Sequence, residues 1–220
     1  MKREPGLDGF DVRGVSRRTA LMGGLAALGS ALSAGRGSAR NADMDRAPLR
    51  VARQRGEVYL LRGFADVFSR GMDEMGADLR LRGIDAQVQG HLGWRGVARR
   101  IIADTRRNGP MPVVLVGHSL GANAVIGIAE WLGGEGIAVD YMATFAATAP
   151  DPVPANVSRA VNYYFASNGW GEPLVPGPGF SGTLSNRDFS RSAEVGHFNI
   201  DKQRPLQAEV IGEVLRILGS

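Results

Sequence analysis

The sequence predicts an α/β fold, in which a mostly parallel sheet is covered by helices on both faces to give a three-layer sandwich. Three observations lead to this prediction. Short apolar runs alternate along the chain with longer segments whose apolar residues recur at helical spacing. The run over 112–116 is continuously apolar, which is typical of a strand buried on both faces. No stretch between the predicted strands is long enough for a large cap domain.

The first half of the predicted domain, which spans 57–220, alternates strands and helices. A strand over 57–61 precedes a helix over 64–82, whose apolar residues lie along one face. Gly83 stands where a helix C-cap is expected. A strand over 85–89, a helix over 94–107 and a strand over 112–116 come next, and the apolar face of the first helix comprises Phe64, Phe68, Met72, Met75 and Leu79.

The second half repeats the same alternation. A helix over 122–132 is followed by strands over 139–146 and 161–166, a weaker strand over 183–189 and a final helix over 205–218. In parallel sheets the functional site lies outside the carboxyl ends of the strands. Residues that directly follow the predicted strands are therefore expected around one crevice.

Composition excludes several classes of function. The chain has no cysteine, and its three histidines have no ligand spacing, so neither a metal site nor a cofactor is expected. The formal net charge is +4, and residues 1–40, with seven basic and three acidic residues, carry all of that excess. Residues 41–220 carry equal numbers of basic and acidic residues, so nucleic-acid binding, which needs a basic face, is not expected.

The first 40 residues have the pattern of an export signal. The pair Arg17-Arg18 precedes a short apolar stretch over 20–32, and small residues follow it. This resembles a twin-arginine signal, which predicts a periplasmic or secreted protein with no stable membrane span after processing. An uncleaved leader that tethers the chain to a lipid surface is the alternative. Residues 41–56 are polar and arginine-rich and are expected to form an exposed segment.

The sequence Gly117-His118-Ser119-Leu120-Gly121 lies between a predicted buried strand and a predicted helix. A GxSxG turn in this context predicts a nucleophile elbow, which holds the serine hydroxyl above the sheet edge. We therefore expect Ser119 to be a catalytic nucleophile, the alternative being a serine that only caps the helix. His118 is expected to pack under the elbow.

A serine nucleophile needs a base, which itself needs a partner to orient it. His197 follows the last predicted strand and precedes the last helix, so it is the candidate base. Three carboxylates are candidates for the acid: Asp151 first, then Glu172 and Asp188. A dyad without any acid remains a further alternative.

The remaining candidate site residues follow the first two predicted strands or lie on a long loop. An oxyanion hole needs two backbone N–H groups, and Leu120 with Phe64 (or Ala65) would supply them. Gly63 would let the backbone approach the substrate. His91 is expected to line the pocket mouth and Trp170 its rim.

With its GHSLG elbow and the order serine, acid, histidine, the chain resembles the α/β-hydrolase superfamily, in particular small bacterial lipases, esterases and thioesterases. The resemblance covers roughly residues 57–218. It implies a serine hydrolase that cleaves a small-molecule acyl ester or thioester through an acyl-enzyme. An acyltransferase with the same residues and a non-catalytic binding protein on this scaffold are the alternatives. The sequence leaves the oligomeric state open.

Overall fold

A computed structural model describes residues 54–64, 68–167 and 170–219. The predicted leader over 1–40, the segment over 41–53 and Ala65 lie outside these residues. No helix among the described residues is both long and apolar enough to cross a bilayer.

The centre of the domain is a sheet whose strand pairs are all parallel. The described strands lie in the order β2-β1-β3-β4-β5-β6. Their bounds are β1 Gln54–Arg62, β2 Ile84–Gly90, β3 Val113–His118, β4 Tyr141–Phe145, β5 Arg159–Tyr164 and β6 Thr183–Asp188. Every residue of β3 is buried, as the continuous apolar run predicts for a strand covered on both faces.

Two helices cover each face of the sheet. On β1, Val58 and Leu60 point into one apolar core, and Tyr59 and Leu61 point into the other. The first core is completed by α1 and α4, and the second by α2 and α3. The predicted three-layer sandwich is therefore confirmed, with helices at α1 Arg70–Leu81, α2 Trp94–Asn108, α3 Leu120–Gly134 and α4 Arg204–Leu218.

The helix predicted over 64–82 is shorter than expected. Helix α1 begins only at Arg70, and Phe64 and Phe68 lie before it with largely exposed side chains. The loops that follow β4 and β5 contain no helix in their described parts.

The parallel arrangement brings the carboxyl ends of the strands to one edge. Leu61 pairs with Gly117 in the register of β1 and β3, and His118 pairs with Phe145 in the register of β3 and β4. The short 3₁₀ turn His91–Gly93 directly follows β2 at the same edge. Residues from distant parts of the sequence therefore meet around the end of β3.

Candidate active site

Ser119 occupies the tight turn between β3 and α3. Its backbone has φ 57° and ψ −123°, a conformation that non-glycine residues rarely adopt. Its N–H donates to the Phe145 carbonyl at 2.8 Å, which ties the turn to β4. A Cβ atom on Gly117 would overlap the Gly121 carbonyl, and one on Gly121 would overlap the Leu61 carbonyl. Both motif glycines are thus required by the close approach of backbone segments, and the turn has the geometry of a nucleophile elbow.

The Ser119 hydroxyl lies beside the imidazole of His197. The distance from Oγ to Nε2 is 3.0 Å, and both side chains are buried. On the other side of the ring, Nδ1 lies 2.6 Å from the backbone carbonyl oxygen of Trp170. Because a carbonyl only accepts hydrogen bonds, Nδ1 carries the proton and Nε2 is free to accept one from the serine. This tautomer is the one that a general base needs.

The environment of His197 keeps its imidazole neutral. Burial lowers the pKa of His197, and the hydrogen bond to the Trp170 carbonyl opposes that shift without reversing it. The neutral imidazole of His197, which is able to accept a proton, is therefore favoured at neutral pH.

None of the three predicted acids is brought to Nδ1 of His197. Asp151 is exposed and lines a neighbouring groove, and Glu172 is exposed on the loop after β5. Asp188 accepts hydrogen bonds from the backbone N–H groups of Ala166 and Ser190, so it organises a turn instead. The backbone carbonyl of Trp170 occupies the position where sequence analysis expected a carboxylate.

The predicted oxyanion hole consists of two N–H groups that the structure leaves open. Neither Leu120 N–H nor Phe64 N–H has a hydrogen-bond partner among the described residues. Gly63 N–H is not available, because it donates to Ser69 Oγ at 2.8 Å. A Cβ on Gly63 would lie only 2.8 Å from the Ser119 Cβ, so glycine is needed where this loop passes the nucleophile.

His91 lies beside this loop without reaching the nucleophile. Its Nδ1 donates to the Gly63 carbonyl at 3.1 Å. It lines a groove of about 440 Å³ that also contains Asp151 and is separated from the serine by Leu120. His91 therefore holds the backbone at Gly63, next to the candidate oxyanion donor Phe64, and does not line the cavity at Ser119.

A cavity of about 350 Å³ opens above Ser119 and His197. Its walls are mainly aromatic, and ring centroids of Phe68 and Phe198 lie 5.1 Å apart, with Trp170 5.7 Å from Phe198. Trp170 is 57% exposed and Phe64 is 70% exposed, although both are large apolar side chains. The site therefore presents an apolar, open-sided cavity directly over a polar pair.

Sequence analysis missed several residues of this cavity. The apolar spacing predicts that Phe68 lies on a helix face, and no pattern in the sequence marks Phe198, which directly follows the candidate base. Ser69 was missed as well; it is buried and contacts both Gly63 and His118. A serine directly before a helix is a capping signal that places the helix start after the phenylalanines.

The described residues contain no group of three or more His, Asp or Glu side chains that could hold a metal ion. The site consists of the serine, the histidine, backbone N–H and carbonyl groups, and apolar walls.

No protein-family model matches the chain, and no curated protein matches its sequence. Solved structures are similar at low sequence identity. A cutinase-like protein from Cryptococcus sp. is 16% identical, with 76% of this chain and 96% of that chain covered and a TM-score of 0.49. A candidate hydrolase of the alpha/beta superfamily from Xanthomonas campestris pv. campestris is 19% identical, with 74% and 99% covered and a TM-score of 0.41. The type II thioesterase BorB of the borrelidin biosynthetic cluster is 12% identical, with 74% and 93% covered and a TM-score of 0.45.

Proposed function

We propose that this protein is a serine hydrolase of the α/β-hydrolase type that cleaves acyl esters or thioesters. The observation that carries the proposal is the 3.0 Å contact between Ser119 Oγ and His197 Nε2 at a backbone turn with φ 57°. A buried serine held in this conformation, with a neutral imidazole positioned to accept its proton, has the two features that nucleophilic catalysis requires.

The proposed reaction proceeds in two halves. Ser119 Oγ attacks the acyl carbonyl carbon while its proton passes to His197 Nε2, and the N–H groups of Leu120 and Phe64 stabilise the oxyanion. The imidazolium then gives this proton to the leaving alkoxide or thiolate, which departs as the alcohol or thiol. Water then attacks the carbonyl carbon of the acyl-enzyme while its proton passes to the same nitrogen. The bond from that carbon to Ser119 Oγ breaks, the imidazolium returns the proton to Oγ, and the carboxylic acid departs.

The Trp170 carbonyl takes the orienting role in this proposal. It fixes the Nδ1–H tautomer of His197 at 2.6 Å, and its partial negative charge stabilises the imidazolium. A neutral carbonyl stabilises that cation less than a carboxylate would, so we expect a functional but slower dyad. The aromatic walls of the cavity favour an apolar acyl group over a charged one.

Export is a separate proposal that rests on the sequence of residues 1–40. The N-terminus of protein recovered from a periplasmic fraction tests it. A start near residue 40 is expected for a cleaved signal, and an intact Arg17-Arg18 pair in membrane-bound protein would favour the tethered alternative.

A weakly active or non-catalytic binding protein is the second candidate, and the uncharged partner of His197 favours it. Labelling with a fluorophosphonate, followed by intact mass, separates the two functions. We expect one adduct on the parent protein and none on Ser119→Ala, because the reagent reports an activated serine.

Asp151→Asn is the matched control for this experiment. Since Asp151 is exposed and does not contact His197, the variant is expected to keep labelling and ester turnover within about threefold of the parent protein. A folded parent protein that takes no adduct would overturn the hydrolase proposal. A loss of turnover by orders of magnitude in Asp151→Asn would return that residue to the role of acid.

A further inference from the structure

We propose that His118 is a positioning residue that fixes the oxyanion loop and the base loop relative to each other through one directed chain of hydrogen bonds. The oxyanion loop here means residues 63–64 with 68–69, and the base loop means residues 194–199. The inference rests on the proposed function, because it assigns a catalytic consequence to the residue that directly precedes the nucleophile.

The first arm of the chain runs from the oxyanion loop to His118. Gly63 N–H lies 2.8 Å from Ser69 Oγ and can only donate, so the hydroxyl oxygen accepts. The hydroxyl hydrogen is then available to His118 Nδ1, which lies 2.8 Å from the same oxygen. The hydroxyl donates in this direction when Nδ1 of His118 is unprotonated, and the opposite end of the ring shows which nitrogen carries the proton.

The second arm runs from His118 to the base loop. Nε2 of His118 lies 2.8 Å from the backbone carbonyl oxygen of His197. A carbonyl only accepts, so this nitrogen must carry the proton. In the neutral ring a proton on Nε2 leaves Nδ1 unprotonated, so the same tautomer lets Nδ1 accept from the Ser69 hydroxyl.

The surroundings of His118 hold the ring in that state. It is 1% exposed, and burial lowers the pKa of His118 to about 4, against a smaller opposite effect of the bond to the His197 carbonyl. The charged or titratable groups that act on it are the His197 ring, with centroids 5.2 Å apart, and Lys202, and both further disfavour a positive charge.

The two anchored groups are neighbours of the atoms that would react. Gly63 directly precedes Phe64, whose N–H is a candidate oxyanion donor, and the carbonyl held by His118 belongs to the candidate base itself. A displacement of about 1 Å in such groups can lower a rate by about two orders of magnitude. A purely structural histidine would change stability and leave kcat unaltered.

Three substitutions at His118 separate the arms. An Asn amide reaches the position of Nδ1 and a Gln amide that of Nε2, so His118→Asn keeps the contact to Ser69 and His118→Gln keeps the contact to the His197 carbonyl. His118→Phe keeps neither. With a soluble short-chain ester, we expect kcat to fall about 100-fold in His118→Phe and about 10-fold in the other two. KM is expected to stay within about threefold, because the aromatic side chains of Phe68, Trp170 and Phe198 that wall the cavity are kept in all three variants.

A double-mutant cycle tests whether the contacts act as one chain. Ser69→Ala alone should lower kcat about 10-fold. In the His118→Phe background the same substitution should lower kcat by less than about a further twofold, because the effects of groups in one network are not additive. Fully additive losses would contradict a single chain. Asn156→Ala is the control for stability, because it removes two partly buried hydrogen bonds, to the Ala129 and Ile137 carbonyls, away from the site and should keep kcat.

The proposal is overturned if folded His118→Phe, checked by thermal unfolding, keeps kcat within about twofold of the parent protein. If that variant does not fold, His118→Gln and Ser69→Ala decide the matter by the same criterion. A parent protein that hydrolyses no ester would remove the proposed function. In that case the imidazole ¹⁵N shifts of His118 still test the chain, and a proton on Nδ1 would overturn it.

Discussion

At the scale of single residues, the partner of His197 sets the electrostatics of the site. An ionised carboxylate at Nδ1 would raise the pKa of the imidazole, whereas the Trp170 carbonyl carries only a partial charge. Burial is the larger influence here, and it lowers the pKa of His197. His197 therefore loses its proton more readily than an ordinary histidine.

The acid limb of the pH profile should report this shift. The base works only when unprotonated, so lowering its pKa moves the point at which activity is lost to lower pH. We expect kcat/KM of the parent protein to fall with an inflection below about 6.5, the usual value for histidine. The measurement is ester hydrolysis from pH 4 to 9, with Ser119→Ala as the blank.

Asp151→Asn provides the comparison for this profile. Its limb should coincide with that of the parent protein, because Asp151 does not contact the ring. The opposite result would be an inflection at or above pH 6.5 in the parent protein that shifts to lower pH in the variant. It would indicate that the Asp151 carboxylate acts on His197.

The contact between Ser119 and His197 could be predicted from the sequence because both residues have side-chain signatures. The turn residues around Ser119 are fixed by backbone approach, and His197 is placed by its position between the last strand and the last helix. The orienting group could not be found in the same way. It is a backbone carbonyl, which every residue carries, so no residue type marks Trp170 for that role.

At the scale of elements, the start of α1 shows where apolar periodicity misleads. Phe64 and Phe68 continue the spacing of the helix face and therefore predict a longer helix. In the structure they precede α1 and line the cavity, while Met72 and Met75 enter the core. A site that needs apolar walls can place such residues at helical spacing by chance, so periodicity alone cannot separate the two environments.

The contact between α3 and β1 gives a prediction at this scale. A Cβ on Gly121 would overlap the Leu61 carbonyl, and backbone atoms cannot move aside cheaply. We expect Gly121→Ala to destabilise the protein by about 3 kcal/mol or more, because overpacking here displaces a whole helix. The measurement is the free energy of unfolding in urea, together with fluorophosphonate labelling of Ser119.

Gly212→Ala is the matched substitution on another helix. Gly212 lies within α4, and no atom within 4 Å meets an added Cβ. Stability should therefore rise by about 0.5–1 kcal/mol, the helix propensity difference between glycine and alanine. If the two substitutions changed the free energy of unfolding equally, the close approach of α3 to β1 would not be the reason that glycine is needed at position 121.

At the scale of the whole molecule, Asp201 links elements that are far apart in the sequence. It is fully buried in the turn before α4, and its Oδ2 accepts the Gly71 N–H of α1 at 2.9 Å. Its carbonyl accepts from Gln207 Nε2, which also donates to Glu74. Sequence analysis gave Asp201 no role, because burial of a carboxylate depends on how the helices pack.

This carboxylate makes global stability depend on pH. Burial raises the pKa of Asp201 to about 6, more than the opposing bond from Gly71 lowers it. The folded state therefore binds a proton more tightly than the unfolded state, and the resulting stability is lost as pH rises from about 4 through about 6. His118 has the opposite effect, since the lowered pKa of His118, about 4, makes stability fall as pH drops below about 6.5.

Asp201→Asn separates these two effects on stability. The substitution removes the titration of residue 201, whereas His118 titrates in both the variant and the parent protein. Asn cannot ionise, so the variant should gain stability relative to the parent protein as pH rises. The gain between pH 4 and pH 8 should be on the order of 2 kcal/mol. Any free-energy cost of the new amide is the same at each pH. It therefore adds a constant to the difference in stability between the two proteins and does not change how that difference depends on pH. Urea unfolding of both proteins at one-unit steps measures this difference, and a flat line would mean that Asp201 titrates alike in the folded and unfolded chains.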